Sequence, residues 1–170
     1  MGVALLVVDV QQGLVDYLPA ARSAEFVATI RGLIDRARSL GVPVVYVQHE
    51  EDGEGLVRGT PMWEIAGPIT PLPSDPIVAK RHRDAFRETD LVDVLARLGA
   101  DRLIVCGMQT EFCIDATIRE AERRGYSVTL VGDGHATYDD GGLTEEQIRN
   151  HVNRVADGVV AAVVPAARAF

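Results

Sequence analysis

Two kinds of apolar pattern alternate along the chain. Residues 3–10, 42–48, 77–80, 103–106, 127–131 and 159–164 are short runs in which apolar, mostly β-branched side chains follow one another with little polar interruption. Such runs fit strands covered on both faces, as a parallel sheet requires. The segments between them carry a helical period instead. Phe26, Ile30, Leu33, Ile34, Ala37 and Leu40 form one stripe, stopped by Gly41 and Pro43. Leu91, Val94, Leu95 and Leu98 form a second, with Thr89 as the expected N-cap and Gly99 closing it. Ile114, Thr117, Ile118 and Ala121 form a third, ended by Gly125. Thr144 to Gln147 has the form of a capping box and opens a fourth through Ile148, Val152 and Val155. Strand–helix alternation of this kind predicts an α/β fold with right-handed crossovers. The expected form is a single three-layer α/β/α domain over residues 1–170, with a six-stranded, mainly parallel, Rossmann-like sheet and helices on both faces.

One stretch breaks the pattern. Residues 50–75 are rich in Gly, Pro and acid and enclose Met62 and Trp63. That is too long for an ordinary connection. It reads either as an excursion covering a substrate or as a surface loop with Trp63 tucked into the core.

Composition narrows the function. The chain has 170 residues, 47% hydrophobic and 25% charged, the proportions of a globular domain. Scaling predicts about 8,200 Å² of folded surface, with roughly 69% of the open chain's surface buried. A net charge of −8 argues against a nucleic-acid footprint and against an anionic membrane surface as partner. The apolar runs fall far short of the ~20 residues of a membrane span, and the N-terminus reads as having no secretory signal. Two cysteines, Cys106 and Cys113, build no disulfide framework. A cytoplasmic protein is expected.

In parallel α/β sheets ligands bind beyond the carboxyl ends of the strands. The polar residues at the ends of the apolar runs are therefore the candidates: Asp9, which interrupts the end of the first, Lys80 at the end of the third, and Cys113 beyond the linker that follows the fourth. If Thr110 caps the third helix, Cys113 sits in its first turn. The helix dipole and a nearby Lys80 would then favour a thiolate. The alternative is structural: Asp9 as a strand-end cap, Lys80 as a surface pair and Cys113 as a core filler. Cys106, inside an apolar strand, reads as inert. His82 is either a pocket edge or solvated. His135 and Asp133 read as structural hydrogen-bonders, and His151 as a packing or interface residue.

Three ordered segments sharpen this. ALLVVDVQQ (4–12), VAKRHRDAFRETDL (78–91) and VCGMQTEFCIDATIREA (105–121) together resemble the isochorismatase-like cysteine hydrolases. GYSVTLVGDGHAT (125–137) is similar to that family's last strand and turn. The resemblance implies catalytic roles for Asp9, Lys80 and Cys113. It also implies a cis peptide between Met108 and Gln109, and an oxyanion hole from the backbone N–H groups of Gln109 and Cys113. Keeping the cysteine points to C–N bond hydrolysis of an amide, ureide or carbamoyl compound through a thioester, with isochorismate-type vinyl ether cleavage as the rival. A redox thiol or a binding module on the same fold is the rival from outside that chemistry. The AspXHis pair of metal-dependent relatives has no match around His49, so no metal and no cofactor are expected. Gln11, His49, Trp63, Phe86 and Phe112 are candidate pocket residues. A small-molecule substrate and a homo-oligomer complete the expectation.

Overall fold

The computed structural model describes residues 2–170. Its elements, in chain order, are β1 (Gly2–Val8), α1 (Gln12–Val15), α2 (Ala20–Ser39), β2 (Val44–His49), β3 (Ile77–Lys80), α3 (Leu91–Arg97), β4 (Ala100–Met108), α4 (Asp115–Arg123), β5 (Ser127–Ala136), α5 (Glu145–Ala156) and β6 (Ala162–Val164). A five-residue π-helical turn, Thr110–Ile114, joins β4 to α4.

The six strands form one sheet in the order β3-β2-β1-β4-β5-β6. All five pairings are parallel. The consecutive apolar positions divide between two cores. Ala4, Leu6 and Val8 of β1 and Leu103 and Val105 of β4 pack with Leu91, Leu95, Ile114 and Ile118 on one side. Leu5, Val7, Ile104 and Cys106 pack with Phe26, Ile30, Leu33 and Ile34 of α2 on the other. The exposed surface is 8,276 Å², close to the value that scaling gives.

Several boundaries differ from expectation. β1 stops at Val8, because Asp9 takes a left-handed conformation with φ +51° that ends the strand. Residues 159 and 160 turn back onto Ala156 through their N–H groups, leaving a strand of only three residues, β6. Asp90, not Thr89, occupies the N-cap of α3; the Thr89 hydroxyl accepts from Leu91 N–H at 3.3 Å and donates to the Ala85 carbonyl at 2.6 Å. The capping box at Thr144 and Gln147 forms in both directions. Among the described residues no helix is long and apolar enough to cross a membrane.

Candidate active site

β1, β3 and β4 release their chains at the same edge of the sheet, and that edge gathers the polar residues. Asp9 follows β1 and is held by its N–H on the Val47 carbonyl at 2.9 Å. Lys80 is the last residue of β3, two strands away from β1, so its side chain must cross the end of β2 to reach Asp9. The crossing succeeds: Lys80 Nζ lies 2.6 Å from Asp9 Oδ2, with both side chains sealed from solvent. Cys113 sits in the π-helical turn after β4, and Lys80 Nζ donates to its Sγ at 3.3 Å. The structure therefore brings the three polar strand-end residues together.

His49, at the end of the intervening β2, completes the cluster. The ammonium has only donors, so the 3.1 Å contact with His49 Nδ1 makes that nitrogen an acceptor. The imidazole proton then sits on Nε2, which donates to Glu51 Oε1 at 3.2 Å. Lys80 also donates to the His82 carbonyl at 3.0 Å. Three N–H bonds thus face four acceptors: Asp9, His49, the His82 carbonyl and the Cys113 sulfur. The Asp9 carboxylate thus shares one cluster with the ammonium and the thiol.

The electrostatics correct one expectation. The Cys113 thiol is pushed up to about 12, first by burial and then by the Asp9 carboxylate, while Lys80 pulls the other way. Burial and Asp9 therefore favour the neutral thiol over the thiolate at rest. Thr110 does not cap the helix either. Gln109 stands at the N-cap of the π-helical turn without a side-chain bond, and the Thr110 hydroxyl lies 2.9 Å from His135 Nδ1. Burial lowers His135 to about 4, so its ring is neutral; Nε2 meets Asn153 Oδ1 at 2.8 Å. For Lys80, burial works against the ammonium, but Asp9 and Cys113 outweigh it and hold the pKa above its ordinary value. Burial and the neighbouring Lys80 lower the pKa of His49.

A cavity of about 230 Å³ opens over the thiol, walled by Asp9, His49, Gln109, Phe112 and Cys113 together with Leu14, Glu51, Leu56 and Arg83. The Met108–Gln109 peptide bond is cis. Gly107 precedes it with φ +131°, and a Cβ there would overlap the Val8 carbonyl of β1.

The other candidate pocket residues lie elsewhere. Gln11 is a buried clamp: its amide donates to the carbonyls of His49 and Trp63 at 2.9 and 2.8 Å and accepts from His49 N–H at 2.8 Å. Trp63 is half-buried with Arg58 over its ring, and Phe86 belongs to the core beside Tyr126. Glu51 and Leu56 of residues 50–75 wall the cavity, whereas the half-buried Trp63 is not part of either core and only its carbonyl is tied down, by Gln11 and Gln48. Asp133 accepts from Ala166 N–H at 2.7 Å, His82 faces Glu88 at 2.9 Å, and His151 is exposed. Leu14, Glu51, Leu56 and Arg83 escaped the sequence reading. Only Arg83 left a signal, lying three residues past Lys80 in the second motif. Among the described residues no group of three or more His, Cys, Asp or Glu side chains converges as metal ligands.

Comparison with known proteins now has a geometry to meet. The isochorismatase domain model matches residues 3–162. The chain belongs to the isochorismatase family. A streptothricin hydrolase from Streptomyces noursei is 43% identical over 80% of this chain and 55% of its own. The chain thus spans about half the length of the curated streptothricin hydrolases it matches. Among solved structures, an isochorismatase family protein superposes with a TM-score of 0.87 at 32% identity, covering 95% of this chain and 97% of its own. An N-carbamoylsarcosine amidase from Thermoplasma acidophilum gives a TM-score of 0.81 at 26% identity, covering 98% and 97%.

Proposed function

We propose that the chain is a cysteine hydrolase that cleaves a C–N bond of a small amide, ureide or carbamoyl compound through a thioester. The observation that carries this reading is the meeting of a buried carboxylate, a buried ammonium and a half-buried thiol, with Asp9 and Cys113 walling a small cavity. Relatives named as a streptothricin hydrolase and an N-carbamoylsarcosine amidase support it.

In this mechanism a carbonyl enters over Cys113, and Asp9 takes the thiol proton as sulfur attacks. The raised thiol pKa fits that order, because the proton leaves only when the S–C bond begins to form. Lys80 pairs with Asp9 and offsets the charge of the nascent thiolate. Backbone N–H groups of Gln109 and Cys113 receive the oxyanion. Asp9 then passes its proton to the departing nitrogen, the C–N bond breaks, and an amine or ammonia leaves. Water attacks the thioester with Asp9 again as base. The C–S bond breaks, the acid is released, and Cys113 recovers its proton.

The cavity's 230 Å³ lies below the ~300–1,000 Å³ of sites for drug-sized ligands, which favours a compact substrate. A working thiol also has to stay reduced, which suits a cytoplasmic setting. The test is ammonia release over a panel of primary amides, ureides and carbamoyl compounds, with Cys113→Ala as blank. Release by the wild type and none by the blank is expected. Turnover that survives in the blank sinks the covalent mechanism.

A further inference from the structure

The cavity wall holds a cation that the chemistry above does not use. Arg83 leaves the strand end three residues after Lys80, and its guanidinium carbon stands 4.2 Å from the centroid of the Phe112 ring. Phe112 is the residue directly before the nucleophile, and Arg83 and Phe112 both wall the cavity. Among the described residues Arg83 makes no ion pair, although ten other arginines of the chain do.

The remaining charges of the wall are engaged. Asp9 pairs with Lys80, and Glu51 accepts the Nε2–H of His49. Arg83 is exposed, and a guanidinium resting on an aromatic face keeps an N–H edge available for a second partner. That edge is a fork matched to a carboxylate, which it can hold through two parallel hydrogen bonds.

We infer that Arg83 is the specificity-determining residue of this cleft, and that it selects substrates carrying a carboxylate close to the scissile carbonyl. The inference deepens the hydrolase reading and rests on it for the word substrate. The closeness follows from the chain itself. Phe112 and Cys113 are neighbours whose Cα atoms stand ~3.8 Å apart, so a carboxylate docked on the stacked guanidinium lies within a few bonds of a carbonyl at Cys113. The small cavity sets the same limit.

Alkylation of Cys113 tests this without requiring turnover. Iodoacetate and iodoacetamide deliver the same carbon to sulfur and differ in the charge beside it. The ratio of their rates on Cys113 is read against the same ratio on glutathione, with adducts located by mass so that the buried Cys106 does not intrude. The wild-type ratio is expected to exceed the glutathione ratio. Arg83→Met should lower the iodoacetate rate about tenfold while leaving the iodoacetamide rate within about twofold, and Arg83→Lys should fall between.

A ratio equal to that of glutathione, or one that Arg83→Met leaves unchanged, overturns the assignment. So does preference for a cationic reagent, (2-bromoethyl)trimethylammonium, over iodoacetate, which would make Glu51 the selecting charge. The ammonia assay separates the two readings. No release from any compound, with the charge preference intact, removes the hydrolase and leaves an anion-selective thiol cleft. Release without charge preference does the reverse.

Discussion

The two cysteines stand seven residues apart around the same strand end, and both thiols are held well above their ordinary range, yet they are chemically unlike. Cys106 is sealed on the α2 side of the sheet, where burial alone raises its pKa and its thiol donates to the Leu6 carbonyl at 3.7 Å. Cys113 lies on the other side of the sheet's edge and is raised by burial and by Asp9, against the pull of Lys80. Cys106 is fully buried among apolar atoms, whereas the half-buried Cys113 stands beside a carboxylate and an ammonium. The difference lies in the company each sulfur keeps.

The strongest way to break the comparison is to delete each sulfur in turn. Cys113→Ala should cut turnover by about 10⁴-fold or more with little change in melting temperature, whereas Cys106→Ala should leave kcat/KM nearly intact. Equal losses, measured by ammonia release, would place both thiols in one function.

Changing the company of Cys113 should then cost activity in both directions while moving its reactivity in opposite ones. Asp9→Asn removes the base and is expected to lower turnover about 10²–10⁴-fold. It also removes the anion that raises the thiol pKa, so iodoacetamide should alkylate Cys113 faster. Lys80→Met should lower turnover comparably but slow alkylation, since the force lowering the thiol pKa is gone. It strands a buried carboxylate, at a cost of about 3–5 kcal/mol in chemical denaturation. The double variant should recover part of that stability. Additive losses would show that the pair does not act as a unit.

A pH series sharpens the contrast further. With its pKa near 12, Cys113 is protonated across the neutral range, and each unit of rising pH multiplies its thiolate fraction about tenfold. The alkylation rate from pH 6 to 9 should climb with that slope, while Cys106 stays unmodified throughout. A plateau near pH 7 would mean a resting thiolate. The smallest effect belongs to Cys106→Ala in stability: trimming one well-packed sulfur should cost about 1 kcal/mol.

The sheet and the cluster were legible in the sequence for one reason. Consecutive apolar residues with a polar residue at the end signal a covered strand and its functional edge together. Asp9 and Lys80 stand out that way, while Cys113 lies seven residues past Cys106 and is marked mainly by the motif that carries the family resemblance. What the sequence hid depends on side-chain directions that no period encodes. Thr110 looked like a cap because its type suits one, but His135, 25 residues on, competes for the hydroxyl. Gln11 looked like a pocket residue because it follows Asp9 closely. Its amide is instead consumed by two backbone carbonyls and one N–H. The thiolate expectation weighed a helix end and a lysine, and it omitted the carboxylate that the same argument had placed nearby. Leu14, Glu51 and Leu56 come from α1 and the irregular stretch, whose paths follow from those same clamps rather than from any repeat.

Lys80 sits on β3, and β3 is an edge strand of four residues, paired along one side only. Strands of that kind open locally at a smaller free energy than the sheet interior. Each opening of β3 withdraws the ammonium from Asp9 and Cys113 while the rest of the fold stays closed. Hydrogen exchange at the amides of β3 therefore reports how often the cleft loses its cation. Under rising urea, loss of activity should precede loss of the sheet's circular dichroism, because a short edge strand carries one of the three groups of the proposed mechanism.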